Sequence, residues 1–319
     1  MSTNIAPPTS GHSRTRNTRN HETHENKVSF VVSWFRGFVI VTMFASGMSL
    51  RAQDFPRMTK LATDVYFYEH PDPTKQGVTA NNLIVVTSDG VLVADGQGTI
   101  DNAKDLVAAI AAITPQPIKF IVVGSEHGDH TGGDTAFPSS ATFLVHPNSK
   151  AAVERRIGRS AEAVGEKRVL KLGGTEIDVL FLGRAHTGGD LEVYLPREKI
   201  LFMSEVFSNR IFPSMANGYP SEWVEALKKA ERMDVTQFVP AHTAMNAPPL
   251  TKETEREWRE SLERVIAEGK RLHAAKVPVD DAPARADFGP YANWWRRSEN
   301  AAGALKRVYM ELDGELKEQ

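Results

Sequence analysis

The chain has no cysteine in 319 residues. That excludes disulfides, thiolate zinc sites, cysteine-held iron–sulfur clusters and a cysteine nucleophile. It also lacks an excess of either charge: 38 Lys+Arg stand against 40 Asp+Glu, a formal net charge of −2. A nucleic-acid binder would normally carry a basic footprint, so none is expected as a partner. With 41% hydrophobic and 24% charged residues, the composition excludes wholesale disorder, collagen and coiled coil. The length suffices for a core in one large domain or two small ones. Any chemistry falls to histidine, carboxylates and hydroxyls.

Apolar residues are scarce in 1–27, which reads as a disordered tail. His12, His21 and His24 lie in it, at a spacing that fits no known metal site. Residues 28–52 read as a signal peptide. Lys27 and Arg36 precede an apolar run at 38–50, and small and polar residues follow, with cleavage expected after Ala52. The rival is an uncleaved membrane anchor, since 28–50 is about long enough to span a bilayer. Arg36 near its middle weighs against that. Either way 53–319 is expected to be exported, periplasmic or secreted, with membrane contact only if the segment stays uncleaved.

From residue 61 the pattern alternates strands and helices. Residues 61–68 read as one strand. NLIVVT at 82–87 and VLVA at 91–94, joined at Asp89-Gly90, signal a hairpin. Asp101 is placed to cap a helix carrying Ala103, Leu106, Val107 and Ile110 on one face. IKFIVV at 118–123 is a buried strand, 141–145 another, and a helix follows near 148–157. Strands at 169–172 and 176–182 flank Gly173-Gly174, and 192–195 and 200–203 continue the series. Beyond that, helical faces form around Trp223, Trp258 and Leu305. There is no internal sequence repeat, but strands followed by helix occur twice, as in two sheets packed face to face with helices outside.

The polar residues of interest stand where strands end. Directly after IKFIVV comes Ser125-Glu126-His127-Gly128-Asp129-His130, whose two imidazoles and carboxylate on a glycine-rich loop can converge on a metal. His186 follows the strand ending near 182, Glu205 the strand ending near 203, and His242 the strand at 238–239. Four strand ends bearing such groups point to one rim of one sheet stack.

This order resembles the metallo-β-lactamase fold superfamily: a His-x-His-x-Asp-His loop, a His in a Gly-His-Thr-like turn, an acidic residue, and a His after a strand. The resemblance covers about residues 60–245. It implies an α+β architecture, an αββα four-layer sandwich, with one or two metal ions, usually zinc. Carried over by position, His127 and His186 belong to a first metal site, and Asp129, His130 and His242 to a second. Glu205 stands where cysteine-free branches of the superfamily, such as the glyoxalase-II-like hydrolases, have a bridging Asp. AHTGGDLEVYLP and ILFMSEVF are similar to relatives near quinoprotein systems.

Two positions depart from the pattern. Ser125 replaces the first His and is a poor zinc ligand. Glu205 is one methylene longer than the bridging Asp. Ligand counting therefore favours tighter binding at the second site. Glu126 is an imperfect substitute for the missing imidazole, because its side chain points away from the motif position in an extended chain. Asp190 is expected to organise the turn near His186. His146, His70 and His273 belong to no constellation, and Tyr291, Trp294 and Trp295 are expected to pack under the C-terminal helix.

The implied activity is that of a zinc-dependent hydrolase. A metal-bound hydroxide, oriented by Asp129, attacks a carbonyl substrate: an ester, thioester, lactone or β-lactam. Residues 207–219 are the expected substrate-contacting loop. One alternative is a catalytically weakened or non-catalytic periplasmic accessory protein with a partly lost metal site. The other is a β-lactamase proper. An iron dioxygenase and a nuclease of this fold fit less well.

Overall fold

The computed structural model describes residues 55–316. The expected tail at 1–27 and the signal peptide or anchor at 28–52 lie outside the described residues.

The first sheet runs in chain order through β1 (Arg57–Ala62), β2 (Val65–Pro71), β3 (Val78–Thr87), β4 (Gly90–Ala94), β5 (Ile118–Val122), β6 (Thr142–Val145) and β7 (Glu162–Ala163). The second holds β8 (Lys167–Leu172), β9 (Thr175–Leu180), β10 (Glu192–Leu195) and β11 (Ile200–Phe202). The last strands divide between the sheets. After β12 (Ser208–Asn209), β13 (Gln237–Val239) pairs parallel with β11, and β14 (His242–Ala244) crosses back to pair antiparallel with β3 and parallel with β12. Because β3 is long, it takes β4 along its C-terminal half and β14 along its N-terminal end.

Helices α1 (Ile100–Ile113), α2 (Gly128–Thr131), α3 (Pro147–Ile157), α4 (Pro220–Glu231), α5 (Lys252–Ala274), α6 (Ala282–Arg285) and α7 (Arg297–Leu312) complete the order. Three apolar clusters give the four layers. Leu83, Leu92, Ile177 and Val193 fill the space between the sheets. Leu106, Ile110 and Val153 fasten α1 and α3 to the first sheet through Ile84 and Ile121. Trp223, Leu227, Trp258 and Leu305 bring α4, α5 and α7 together over Leu201 and Phe238 of the second. This is the αββα sandwich expected.

The expected hairpin forms, with Thr87 opposite Gly90. Two local expectations are corrected. Residues 61–68 are not one strand: Asp64 adopts a left-handed φ of 60° and turns β1 into β2, a conformation Asp tolerates better than most residues. The cap of α1 is Thr99, whose side chain accepts from Asn102 N, and Asp101 sits inside the first turn, where its charge suits the helix dipole. His146 likewise has a local role, its Nδ1 accepting from Asn148 N at the start of α3.

What positions the site is strand direction. β4, β5 and β6 are parallel neighbours, so the loops leaving β4 and β5 emerge on one edge. The segment after β11 and the start of β14 reach the same edge.

Candidate metal centre

Six histidine and carboxylate side chains converge there from four segments. Asp129, His130, Glu205 and His242 form one group, and His127, His186 and Glu205 another, with the donor atoms of each within 4.8 Å of one another. These are the six residues that the sequence resemblance assigns to the two metal sites. All but His127 and Asp129 are buried.

Glu205 joins the two groups, one oxygen to each. Its Oε2 lies 2.9 Å from His127 Nδ1 and 2.8 Å from His186 Nε2. Its Oε1 lies 3.5 Å from His130 Nε2 and 3.5 Å from His242 Nε2. The longer side chain thus still spans both positions as a bridging Asp would. Ser125 is fully buried and belongs to neither donor group; its hydroxyl donates to Glu205 Oε2 at 2.9 Å. It orients the bridge rather than adding a ligand.

The donor set fits a metal ion on geometry alone. A tetrahedron of nitrogen and oxygen ligands at about 2.0–2.1 Å has edges of about 3.3–3.4 Å. The second group shows edges of 3.0 Å (Asp129 Oδ2 to His242 Nε2), 3.5 Å (Asp129 Oδ2 to His130 Nε2) and the two 3.5 Å separations to Glu205. His130 Nε2 is buried with no hydrogen-bond partner, as befits a lone pair kept for a ligand bond. The outer nitrogens are held in place: His130 Nδ1 donates to Asp95 Oδ2 at 3.1 Å, and His242 Nδ1 to the Thr79 carbonyl at 3.0 Å. Such partners fix the ring and the tautomer.

Two members of the site were missed from sequence. Asp95 follows β4 at a left-handed φ of 61°. Its Oδ1 accepts from Gly124 N at 2.7 Å, and its Oδ2 accepts from Ser204 Oγ at 2.6 Å as well as from His130. It thereby ties the loops leaving β4, β5 and β11. Its signal was present, since VLVA also ends on an acidic residue, like the other strand ends. Lys75, in the loop between β2 and β3, was the second. Its ammonium hydrogen-bonds Asp129 Oδ2, lies 3.2 Å from His242 Nε2 and 4.0 Å from Glu205 Oε1. No local pattern marks it, because it arrives from a distant turn.

Electrostatics follow from this packing. Burial pulls the Lys75 ammonium down, but the Glu205 and Asp129 carboxylates outweigh it and raise its pKa. Burial opposes ionisation of Asp129, yet His130 and its hydrogen bonds hold the carboxyl far below the usual range. Glu205 is held well below its ordinary value by His186 and His130 against the same burial. His130 is raised well above its ordinary value, burial being overcome by Asp129 and Asp95.

The group forms one end of a cavity of about 220 Å³. Its walls are apolar on one side (Ile211, Phe212, Trp223, Trp258) and carry Lys75 and Arg296 as cations. Ser208, Ile211, Phe212 and Ser214 come from the loop expected to meet substrate, and Asn217 Nδ2 lies 3.5 Å from His127 Nε2. Behind Glu205, the indole N–H groups of Trp223 and Trp258 both donate to the Val206 carbonyl at 2.9 Å. Glu126 stands outside both donor groups. His70 pairs with Asp105 and His273 with Asp313, away from the cavity. Asp190 organises its turn, accepting from Thr187 N and Oγ1 at 2.7 Å. Trp294 is buried in the helical core as expected, while Trp295 is 41% exposed and donates to the Gln76 carbonyl instead.

A structure of a metallo-β-lactamase from Pontibacter korlensis superposes with a TM-score of 0.57 at 21% identity, covering 65% of this chain and 98% of that one. The chain has the metallo-β-lactamase fold. A stereoselective inverting sec-alkylsulfatase from a Pseudomonas species shares the fold, with a TM-score of 0.64 at 15% identity over 80% of this chain and 50% of that one. Among curated proteins, a metallo-β-lactamase type 2 of a Bacillus species is 23% identical over 52% of this chain and 68% of its own length. The alpha subunit of a 2,4-dinitroanisole O-demethylase from a Nocardioides species is 23% identical over 50% of this chain. The match spans about half, 51%, of that subunit's length. No protein-family model matches the chain. In this fold the residues of the rim, rather than the sandwich, decide the chemistry.

Proposed function

We propose that the chain is a metal-dependent hydrolase, with zinc as the ion, acting on a small-molecule ester, thioester, lactone or β-lactam. The observation that carries the reading is the bridging carboxylate: Glu205 presents one oxygen to His127 and His186 and the other to His130 and His242 at ligand-like spacing. When bound there, such an ion supplies an activated water and polarises the scissile group.

The chain's own residues do the rest. Asp129, which lines the cavity, accepts a hydrogen bond from a water there and orients it. Asp95 holds His130, and Thr79 holds His242, so that neither ring rotates. Trp223 and Trp258 keep bulk water from one side of Glu205, which strengthens electrostatic interactions inside. Arg296 lines the same cavity and offers it a cation suited to the oxyanion of an acyl substrate.

The test is a panel of aryl esters, a thioester, lactones and a chromogenic β-lactam, assayed on zinc-loaded and chelator-stripped protein. Turnover of one class that chelation abolishes and zinc restores is the expected result; turnover indifferent to chelation sinks the reading. Ser125, in place of an imidazole, favours a second reading: an accessory protein with a weakened site. Ser125→His separates the two. A large gain of activity marks a decayed site, and a loss marks a site built around the serine. Export through 28–52 belongs to the same proposal and is checked by cell fractionation.

A further inference from the structure

Lys75 is held by a built loop. Residues 72–77 close on themselves: Asp72 N donates to the Val78 carbonyl at 2.9 Å, Val78 N to the Lys75 carbonyl at 3.2 Å, and Asp72 Oδ1 accepts from both Thr74 N and Thr74 Oγ1 at 2.7 Å. Trp295 Nε1 donates to the Gln76 carbonyl at 3.0 Å. Its ring lies so close to Gly77 that a Cβ there would meet Trp295 Cζ2 at 2.4 Å, and Gly77 also has a φ of 73°. The loop is thus pinned from the C-terminal segment, and its lysine points at the cluster.

The ammonium occupies two of the four donors of the second group, Asp129 Oδ2 and His242 Nε2. With His242 Nδ1 committed to the Thr79 carbonyl, Nε2 offers a single position, which a metal ligand must keep bare. Lys75 and a divalent ion therefore exclude each other there. The buried Glu205 carboxylate beside the half-buried Asp129 also calls for a positive charge, and Lys75 supplies one from within the chain.

We propose that Lys75 is a tethered cation that takes the place of a metal ion in the second site. The chain then holds one divalent ion, at His127, His186 and Glu205, and gains a second only when the Lys75 ammonium is removed from Asp129 and His242. Two histidines, one glutamate and an open position are a sufficient set for catalytic zinc. This reverses the order of affinities that ligand counting favours, and it rests on the metal-dependent reading above.

The experiment counts metal. Full chain, loaded with excess zinc and desalted, is analysed by native mass spectrometry and elemental analysis, as wild type and as Lys75→Met and Lys75→Gln. The expected result is one zinc per chain in wild type and two in either variant, the added ion appearing in anomalous diffraction between Asp129, His130 and His242. One zinc in all three proteins overturns the inference and leaves the metallohydrolase reading standing; none in any of them overturns both. Two in wild type overturns the inference without recourse to a variant, so it stays exposed even if neither variant folds.

Discussion

His130 Nδ1 lies 3.1 Å from Asp95 Oδ2, and that contact decides which imidazole nitrogen faces the cluster. Asp95→Asn keeps the shape and removes the charge that orients the ring. Outer partners of this kind are worth about 10- to 100-fold in metal affinity. We expect a loss of that size in a chelator competition assay, with little change in the folded fraction. Unchanged affinity would mean that the ring is held by packing alone.

Metal-free protein should respond to pH in a way the loaded protein does not. Asp129 and Glu205 titrate below their ordinary values of 3.8 and 4.5. Their contribution to stability is present above those values and is lost as pH falls through the folded ones. His127, His130 and His242 titrate above their ordinary value of 6.5, burial being outweighed chiefly by Glu205 for His127 and by Asp129 for the other two. Their contribution is full below 6.5 and is lost as pH rises through the raised values. Chelator-treated protein should therefore show its highest melting temperature between about pH 4.5 and 6.5 and decline above. Zinc affinity should climb over the same rise, because ligation needs bare imidazoles. Parallel rather than opposed trends would show that the cluster's protons do not control either quantity.

Zinc should stabilise the fold by an amount that grows with the logarithm of its free concentration once the site is filled. At a free concentration 100 times the dissociation constant, the gain is about 2.7 kcal/mol. Thermal melts across a zinc series, reversed by chelator, check this. A melting temperature indifferent to zinc would place the ion outside the donor groups.

Trp258 is 2% exposed, and its indole N–H and that of Trp223 meet on one carbonyl beside Glu205. Trp258→Ala should cost about 3–5 kcal/mol through the cavity it leaves. Trp258→Phe, which removes the hydrogen bond but retains most of the ring, should cost about 0.5–1.5 kcal/mol. Denaturant titration measures both, and near-equal costs would assign the tryptophan's role to the hydrogen bond.

The layers were legible because they rest on local period: alternating or continuous apolar runs gave the strands around 82–94 and 118–123, and helical spacing gave the faces of Trp223 and Trp258. The candidate ligands were legible because each lies within a few residues of the end of a strand. The rest depended on contacts far apart in the chain. Lys75 reaches His242 across 167 residues, and Trp295 reaches Gln76 across 219. No window of sequence contains either pair. The turn at Asp64 was missed for a different reason: a single left-handed residue splits a strand without any glycine or proline to mark it.

The Lys75 ammonium and the anchored histidines have a consequence for the order of events in the life of the chain. Small zinc modules are unfolded until metal arrives. Here every ligand already has a partner of opposite charge or a fixed tautomer, so the sandwich can close first and acquire its ion afterwards. A vessel finished before it is filled takes the cation that its surroundings supply in competent form. The metal recovered with purified protein will then record the medium in which the cells were grown, and reconstitution from stripped protein, rather than the ion found on isolation, is the fair measure of preference.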